Sequence, residues 1–477
     1  MRKQAFSVHG HFYQPPRENP FTGKIPQEPG ATPFHNWNEK ILAQCYRPNA
    51  EDGNFGRISF DLGPTLATWM DENAPDVMKE IVRQERSFYE ANGVGNGMAL
   101  SYNHTILPLA TLDDKITQIK WGIADFEARF GHQPLGLWAP ETAIDLETLM
   151  VMEQCGIHYT ILAPWQANTR VGLDTSRPYW VDLPHEKRIA VFFYEEQTSM
   201  RVSFDPEATV NADRFMDQYL LPLYPDNSRR ERMYLIASDG ELYGHHQPLR
   251  NKFLQWLTTG ALVNRDIELT VPSIWLRDYP PEKSIRIRNN TSWSCHHGIS
   301  RWASECACAE HGEWKAPIRR AFDRIANIVD TEMQKALDPY HLKLLEFRNE
   351  YSAVLTHRET AEAQLIRLTG KTAWEEAEKN KMLNFMNAQY ERQRMYTSCG
   401  WFFGDFNRLE SQNNILYAAK AIDYTEKATG LEFRRSISRY LSKIESHDTG
   451  LKASTIFNNA FKSCNPADSQ DFPVYGV

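Results

Sequence analysis

Two short stretches of this 477-residue chain set acidic side chains among aromatics and turn formers. GLWAPETA, Gly136 to Ala143, holds one carboxylate, Glu141, directly behind Trp138, Ala139 and Pro140. SDGELYGHHQP, Ser238 to Pro248, offers Asp239, Glu241, His245 and His246. Each stretch follows an apolar, strand-like run. Two carboxylates do acid/base or nucleophilic chemistry together when their surroundings keep one ionised and the other protonated. Two strand ends of a barrel can supply such different surroundings. Glu241 shares a face with Asp239 on an extended chain. It lies further from the strand and reads as an orienting hydrogen-bond partner.

Histidines and aromatics recur at other strand ends. AFSVHGHFY, residues 5–13, reads as a first strand on which His9 and His11 face one side, with Gly10 between them. Gln14, Pro15 and Pro16 stop it. Met98 to Ser101 form a short strand ending in Tyr102, Asn103 and His104. Tyr159 to Ala163 lead to Pro164, Trp165 and Gln166. The histidines, with Asn103, are expected to face a cleft; the bland alternative is hydrogen-bonded core. The stretch from Thr291 to Gly312 is dense in Trp, His and Cys. Cys306 and Cys308 form a C-x-C, preceded by Cys295, His296 and His297. Zinc is chemically conceivable there, but one C-x-C without a second clean pair is a weak signal. The stretch is read instead as an aromatic loop closing the cleft, with Trp293 and His296 as substrate contacts and no metal.

The elements that must position these residues alternate. Residues 112–130 carry Ile116, Ile119, Ile123, Phe126 and Phe130 at helical spacing. Helices are also expected over 75–92 and 145–155. Later strands are Ile189 to Tyr194, Met233 to Ala237 and Leu269 to Val271. The β-α-β-α order predicts an α/β barrel of parallel strands with its chemistry at their C-terminal ends. Residues 17–60, rich in Pro, Gly, Asn and Asp, read as a lid packed by Phe21, Phe34, Trp37 and Tyr46. From about Lys315 to Ser446 nearly everything is helical. The expected division is therefore a catalytic barrel over 1–315 and a helical bundle over 316–477.

Apolar residues make up 42% of the chain, enough for a large core. The net charge of -8 argues against nucleic acid, since phosphate binding wants a basic face. The seven cysteines are odd in number and irregularly spaced, which fits a reducing compartment. The opening MRKQAFSVHGHFYQPP lacks the apolar run of a signal peptide. No stretch approaches ~18 apolar residues, so no membrane span is expected. The expected location is cytoplasmic. Aromatics, at 12%, are plentiful enough to line a sugar-binding cleft as well as a core.

In order along the chain, HGHFYQPP, SYNHTILPL, GLWAPETA and SDGELYGHH resemble the first four motifs of glycoside hydrolase family 57, with Trp293 to His297 a looser match to the fifth. The resemblance covers residues 1–315. It implies a distorted (β/α)7 TIM-like barrel, Glu141 as nucleophile, Asp239 as general acid/base, and no metal or cofactor. It also implies a substrate among oligo- or polysaccharides of the α-glucan type. His9, His11, Gln14, His104, Trp138, Trp165, Glu241, His245, Trp293 and His296 become substrate-binding positions. TSWSCHHGISRW and YTSCGWFF resemble a subgroup with a C-terminal helical region of unassigned role. The members include amylases, 4-α-glucanotransferases, branching enzymes and amylopullulanases, so hydrolysis and transfer both stay open. Two other readings compete. One is a metal-dependent carbohydrate deacetylase using His9, His11, His104, Asp239, His245 and His246. The other is a catalytically inactive sugar-binding protein.

Overall fold

A computed structural model describes residues 3–170, 172–224 and 230–462. It resolves into two compact units, each assembled from separate stretches of chain. The first comprises Met1–Gln14, Gly30–Ser101 and Phe126–Ser294; the second comprises Pro15–Pro29, Tyr102–Asp125 and Cys295–Val477. The division expected at 315/316 follows chain order, whereas the units do not. Their boundary falls inside the helix Leu112–Phe130, after Asp125.

The strands are β1 Gln4–Phe12, β2 Ser59–Leu62, β3 Gly97–Leu100, β4 Leu137–Trp138, β5 Tyr159–Leu162, β6 Ala167–Asn168, β7 Tyr179–Asp182, β8 Arg188–Phe193, β9 Arg232–Asp239, β10 Glu268–Leu269 and β11 Arg286–Ile287. All lie in the first unit. One edge of β1 pairs in parallel with β9 along Gln4 to His11. The other edge is shared: β10 takes Ala5 and Phe6, and β2 takes His9 to Phe12. From β2 the parallel sheet runs through β3 to β4. A single bridge, Gly136 to Tyr159, leads on to β5, which pairs with β8. The Glu195 N–H then donates to Leu235 of β9 at 2.7 Å and brings the sheet back to its start. Seven parallel strands thus curl round, with two joins made by single contacts. This is the expected distorted (β/α)7 barrel. β7 pairs antiparallel outside β8, and β6 pairs with β11.

β1 is buried from Ala5 to Phe12, as a strand covered on both faces should be. Its two histidines are therefore polar groups inside an apolar run, and they need partners. Helices follow the strands as the pattern requires: Pro64–Asn73 and Pro75–Asn92 after β2, Leu112–Phe130 after β3, and Leu146–Gln154 after β4. The segment read as an irregular lid is helical over Trp37–Ile41 and Arg47–Glu51, with a π-turn between them. Helices of five residues are too short to show a hydrophobic period, so the sequence pattern hides them. Residues 17–29 of the same segment cluster with the second unit.

The second unit is helical. Its long members are Lys315–Leu337, Glu376–Arg394 and Leu409–Thr429. Trp121, from residues 102–125, is fully buried there among Met333, Phe347, Leu365 and Phe385. Its indole N–H donates to the Arg348 carbonyl at 3.0 Å. No helix among the described residues is long and apolar enough to cross a membrane.

Candidate functional site

The polar end of β1 is built on Asp61 of β2, which the sequence reading passed over. His9 Nε2 lies 3.2 Å from one Asp61 oxygen, and His11 Nδ1 lies 2.7 Å from the other. His9 also bonds Ser59 through Nδ1 at 2.9 Å. Strand register explains the cluster: His9 is opposite Ser59 and His11 is opposite Asp61. Trp138 of β4 stacks on both rings, 4.6 Å from His9 and 5.5 Å from His11. Burial by itself would lower His11, but Asp61 at hydrogen-bond distance, with Asp239 and Glu241 nearby, pushes it up to about 9. This favours the protonated imidazole at neutral pH. Asp61 stays ionised: burial opposes this, and His11 and His9 overcome it.

Glu141 stands on a tight turn just after β4. Its φ is 58° and that of Thr142 is 47°, two consecutive non-glycine residues in the left-handed region. Such conformations cost about 1–3 kcal/mol each and persist where surrounding contacts enforce them. Here the enforcer is Gln166, fully buried after β5. Its Oε1 accepts from the Thr142 hydroxyl and the Ala163 N–H, both at 2.9 Å. Its Nε2 donates to the Thr142 carbonyl at 2.8 Å. The Glu141 carbonyl accepts from the Trp293 N–H at 3.1 Å. The carboxylate accepts from the Ser294 hydroxyl at 2.7 Å and the Trp293 indole at 3.2 Å. Burial raises the Glu141 pKa and nearby Asp239 adds to it, while Ser294, His11 and Trp293 favour the ionised form. Trp138 makes no hydrogen bond to Glu141. Its indole N–H is buried without a hydrogen-bond partner, because the ring lies flat against the histidines.

Asp239 ends β9, in register with His11 on β1. It is solvent-exposed, yet enough protein surrounds its carboxyl that desolvation raises its pKa. His11 and His246 pull the other way, and Asp61 adds to the rise. No side chain donates to this carboxyl among the described residues. Glu241 points elsewhere: its Oε1 accepts from the Tyr46 hydroxyl at 2.6 Å and the Tyr13 N–H at 3.2 Å. Burial, relieved in part by Tyr46, pushes Glu241 up to about 7. The loop after Asp239 is held from beneath by the short helices of residues 37–51. Asn49 donates to the Tyr243 carbonyl at 2.7 Å, and His245 Nδ1 meets Gln44 Oε1 at 2.7 Å. Gly244, at φ 147°, leaves room for the Gln44 carbonyl, which a Cβ would approach to 2.3 Å.

The other expected positions divide between the units. Gln14 reaches Tyr46, and Trp165 donates to the Ser292 carbonyl at 3.0 Å beside Trp293. Both belong to the first unit, with His9, His11, Trp138, Glu141, Asp239, Glu241, His245 and Trp293. His104 and His296 belong to the second. His104 is buried there, with Nδ1 2.6 Å from the Ser398 hydroxyl. His296 is exposed. Asp61, Ser294, Gln166 and Tyr46 were missed. Asp61 had a local signal, since it lies in the apolar run of the short strand β2; the others lie on connections whose partners are remote in sequence.

A curled parallel sheet with carboxylates at its strand ends defines a class, the α/β-barrel proteins that place chemistry on the loops after the strands. Residues 5–288 match the model of glycosyl hydrolase family 57, and residues 311–465 match a domain of unknown function (DUF3536). The chain belongs to glycoside hydrolase family 57. An α-amylase of Dictyoglomus thermophilum is 23% identical over 193 residues, 38% of this chain and 24% of that protein. An α-amylase of Pyrococcus horikoshii is 20% identical over 209 residues, 43% of this chain and 29% of that protein. The chain thus spans under a third of the length of these relatives. Among solved structures, an exo-type maltose-forming amylase from Pyrococcus sp. ST04 has a TM-score of 0.76 at 14% identity, covering 96% of this chain and 88% of that one. A family 57 branching enzyme from Thermococcus kodakaraensis has a TM-score of 0.59 at 16% identity, covering 99% and 96%.

Proposed function

We propose that the first unit is a retaining glycosidase or transglycosylase acting on α-glucans, with Glu141 as nucleophile and Asp239 as general acid/base. The observation that carries this reading is the contrast between the two carboxylates. Glu141 sits on an enforced turn and accepts two fixed hydrogen bonds that favour its ionised form. Desolvation raises the pKa of both, but no side chain among the described residues donates a hydrogen bond to Asp239 to offset it. An attacking carboxylate must be charged, and a carboxylic acid that protonates a departing oxygen must hold its proton. Glu141 attacks the anomeric carbon and Asp239 protonates the leaving oxygen. Asp239 then takes a proton from whatever hydroxyl resolves the intermediate. Water gives hydrolysis and a sugar hydroxyl gives transfer. His11 electrostatically favours the charged form of both Glu141 and Asp239, which suits a site where negative charge moves from one carboxylate to the other. The α-glucan substrate comes from the family and from the amylase and branching-enzyme neighbours.

The deacetylase reading fits less well. His9 has both ring nitrogens engaged by Ser59 and Asp61, and His11 is bonded to the same carboxylate.

The test uses maltooligosaccharides and glycogen, with the anomeric configuration of early products read by NMR. Retention is expected. Asp239→Asn should lose roughly 10²–10⁴ in rate, least with a leaving group that needs no proton. Glu141→Gln should lose more, and azide should restore turnover with inverted product. An inverted wild-type product, or near-normal turnover by Glu141→Gln, would overturn the assignment. Products longer than the substrate would identify transfer.

A further inference from the structure

We propose that the second unit contains a structural zinc site made by Cys295, His297, Cys306 and Cys308. In sequence these residues looked like a C-x-C with no second pair. In space they form two pairs, one on each of two tight turns. The Gly298 N–H bonds the Cys295 carbonyl at 3.1 Å, turning the chain so that His297 faces back toward Cys295. The Ala309 N–H bonds the Cys306 carbonyl at 2.8 Å and does the same for Cys306 and Cys308. The four ligand atoms, three Sγ and one imidazole nitrogen, all lie within 4.8 Å of one another.

The spacing fits a tetrahedron. Cys295 Sγ and Cys306 Sγ are 3.6 Å apart. A disulfide holds its sulfurs about 2.05 Å apart. Two sulfurs each about 2.3 Å from one zinc sit roughly 3.8 Å apart at tetrahedral angles. His297 Nδ1 is 3.4 Å from both Cys306 Sγ and Cys308 Sγ, close to the roughly 3.6 Å expected for a nitrogen–sulfur edge. Three sulfurs and one imidazole are a donor set that selects zinc among abundant divalent ions. The surroundings complete the charge balance. Zinc with three thiolates carries one net negative charge, and the Lys315 ammonium is buried within electrostatic reach of Cys295 and Cys306. That amine is anchored on the Arg301 carbonyl at 2.6 Å. The His297 backbone N–H points at Cys295 Sγ, a common outer contact of a thiolate ligand.

The experiment takes the 477-residue chain, purified untagged and without chelator, and measures metal by mass spectrometry of the elements. One zinc per chain is expected. After removal by a mercurial and reduction, added Co²⁺ should give the strong visible bands of a tetrahedral site with thiolate charge transfer. Cys306→Ser/Cys308→Ser should cut the zinc content about tenfold or more. His297→Cys, which keeps four donors, should retain zinc and shift the cobalt spectrum toward that of a four-sulfur site. A wild-type chain that holds no zinc and takes up no Co²⁺ with thiolate bands would overturn the proposal. So would a Cys295–Cys306 disulfide in the isolated metal-free protein that persists under cytosol-like reducing buffer. None of these readouts depends on glycosidase activity.

Discussion

His11 carries a charge balance that makes the first unit sensitive to alkali. Its folded pKa is raised to about 9, so the native protein keeps a proton that the unfolded chain releases above about 6.5. The stabilisation is complete below the unfolded value and is lost as pH climbs through about 9. A shift of this size corresponds to roughly 3–4 kcal/mol. The lowered pKa of Asp61 acts on the acid side, where stability falls as that carboxylate is protonated, and leaves the alkaline window alone. The melting temperature should therefore fall between pH 6.5 and 9 in the wild type and be much flatter there in Asp61→Asn. A wild-type melting temperature constant across that window would show that His11 is neutral in the folded protein. At this scale the histidines were legible in the sequence because two residues apart on a strand means one face. What they face was not, because Asp61 is fifty residues from His11 in the chain.

Among the elements, the turn after β4 depends on its neighbour after β5. Gln166 holds Thr142 through two hydrogen bonds, one with its hydroxyl and one with its carbonyl, and accepts a third from the Ala163 N–H. Replacing it by Leu keeps the bulk and strands these buried groups, at about 1–3 kcal/mol each if wholly unpaired. The strained φ values at Glu141 and Thr142 would then relax. Gln166→Leu should lower kcat far more than it raises KM and lower the melting temperature, while Gln166→Glu, which keeps the acceptors, should recover part of the rate. Loss of stability with unchanged kcat would mean that the turn holds its shape without Gln166. The short helices of residues 37–51 do a parallel job under the loop after Asp239. That role is support of a loop through Asn49, Gln44 and Tyr46, distinct from the lid expected for residues 17–60.

At the scale of the molecule, the units are interleaved in sequence. Residues 102–125 cluster with helices that come after residue 314, and Trp121 is buried in that core. A chain cut after residue 315 would carry this stretch without its partners. Exposing one fully buried aromatic side chain costs about 2–3 kcal/mol, and Tyr102 would join it. The 1–315 fragment should be insoluble or bind hydrophobic dyes strongly, while the 477-residue chain should not. A soluble fragment with a cooperative melting transition would show that the barrel folds without the second unit.

The sequence by itself determined the order of strands and helices in the first unit, the strand-end placement of Glu141 and Asp239, and the family. These rest on local signals: apolar runs, helical spacing, prolines after strands, and motifs in a fixed order. Tertiary structure alone decided which groups stand beside them. The donors to Glu141 come from Trp293 and Ser294, and its turn is set by Gln166. The Cys/His tetrad likewise emerges only when two turns face each other. A side chain's electrostatic surroundings depend on residues brought close by folding, and spacing along the chain carries no record of that proximity.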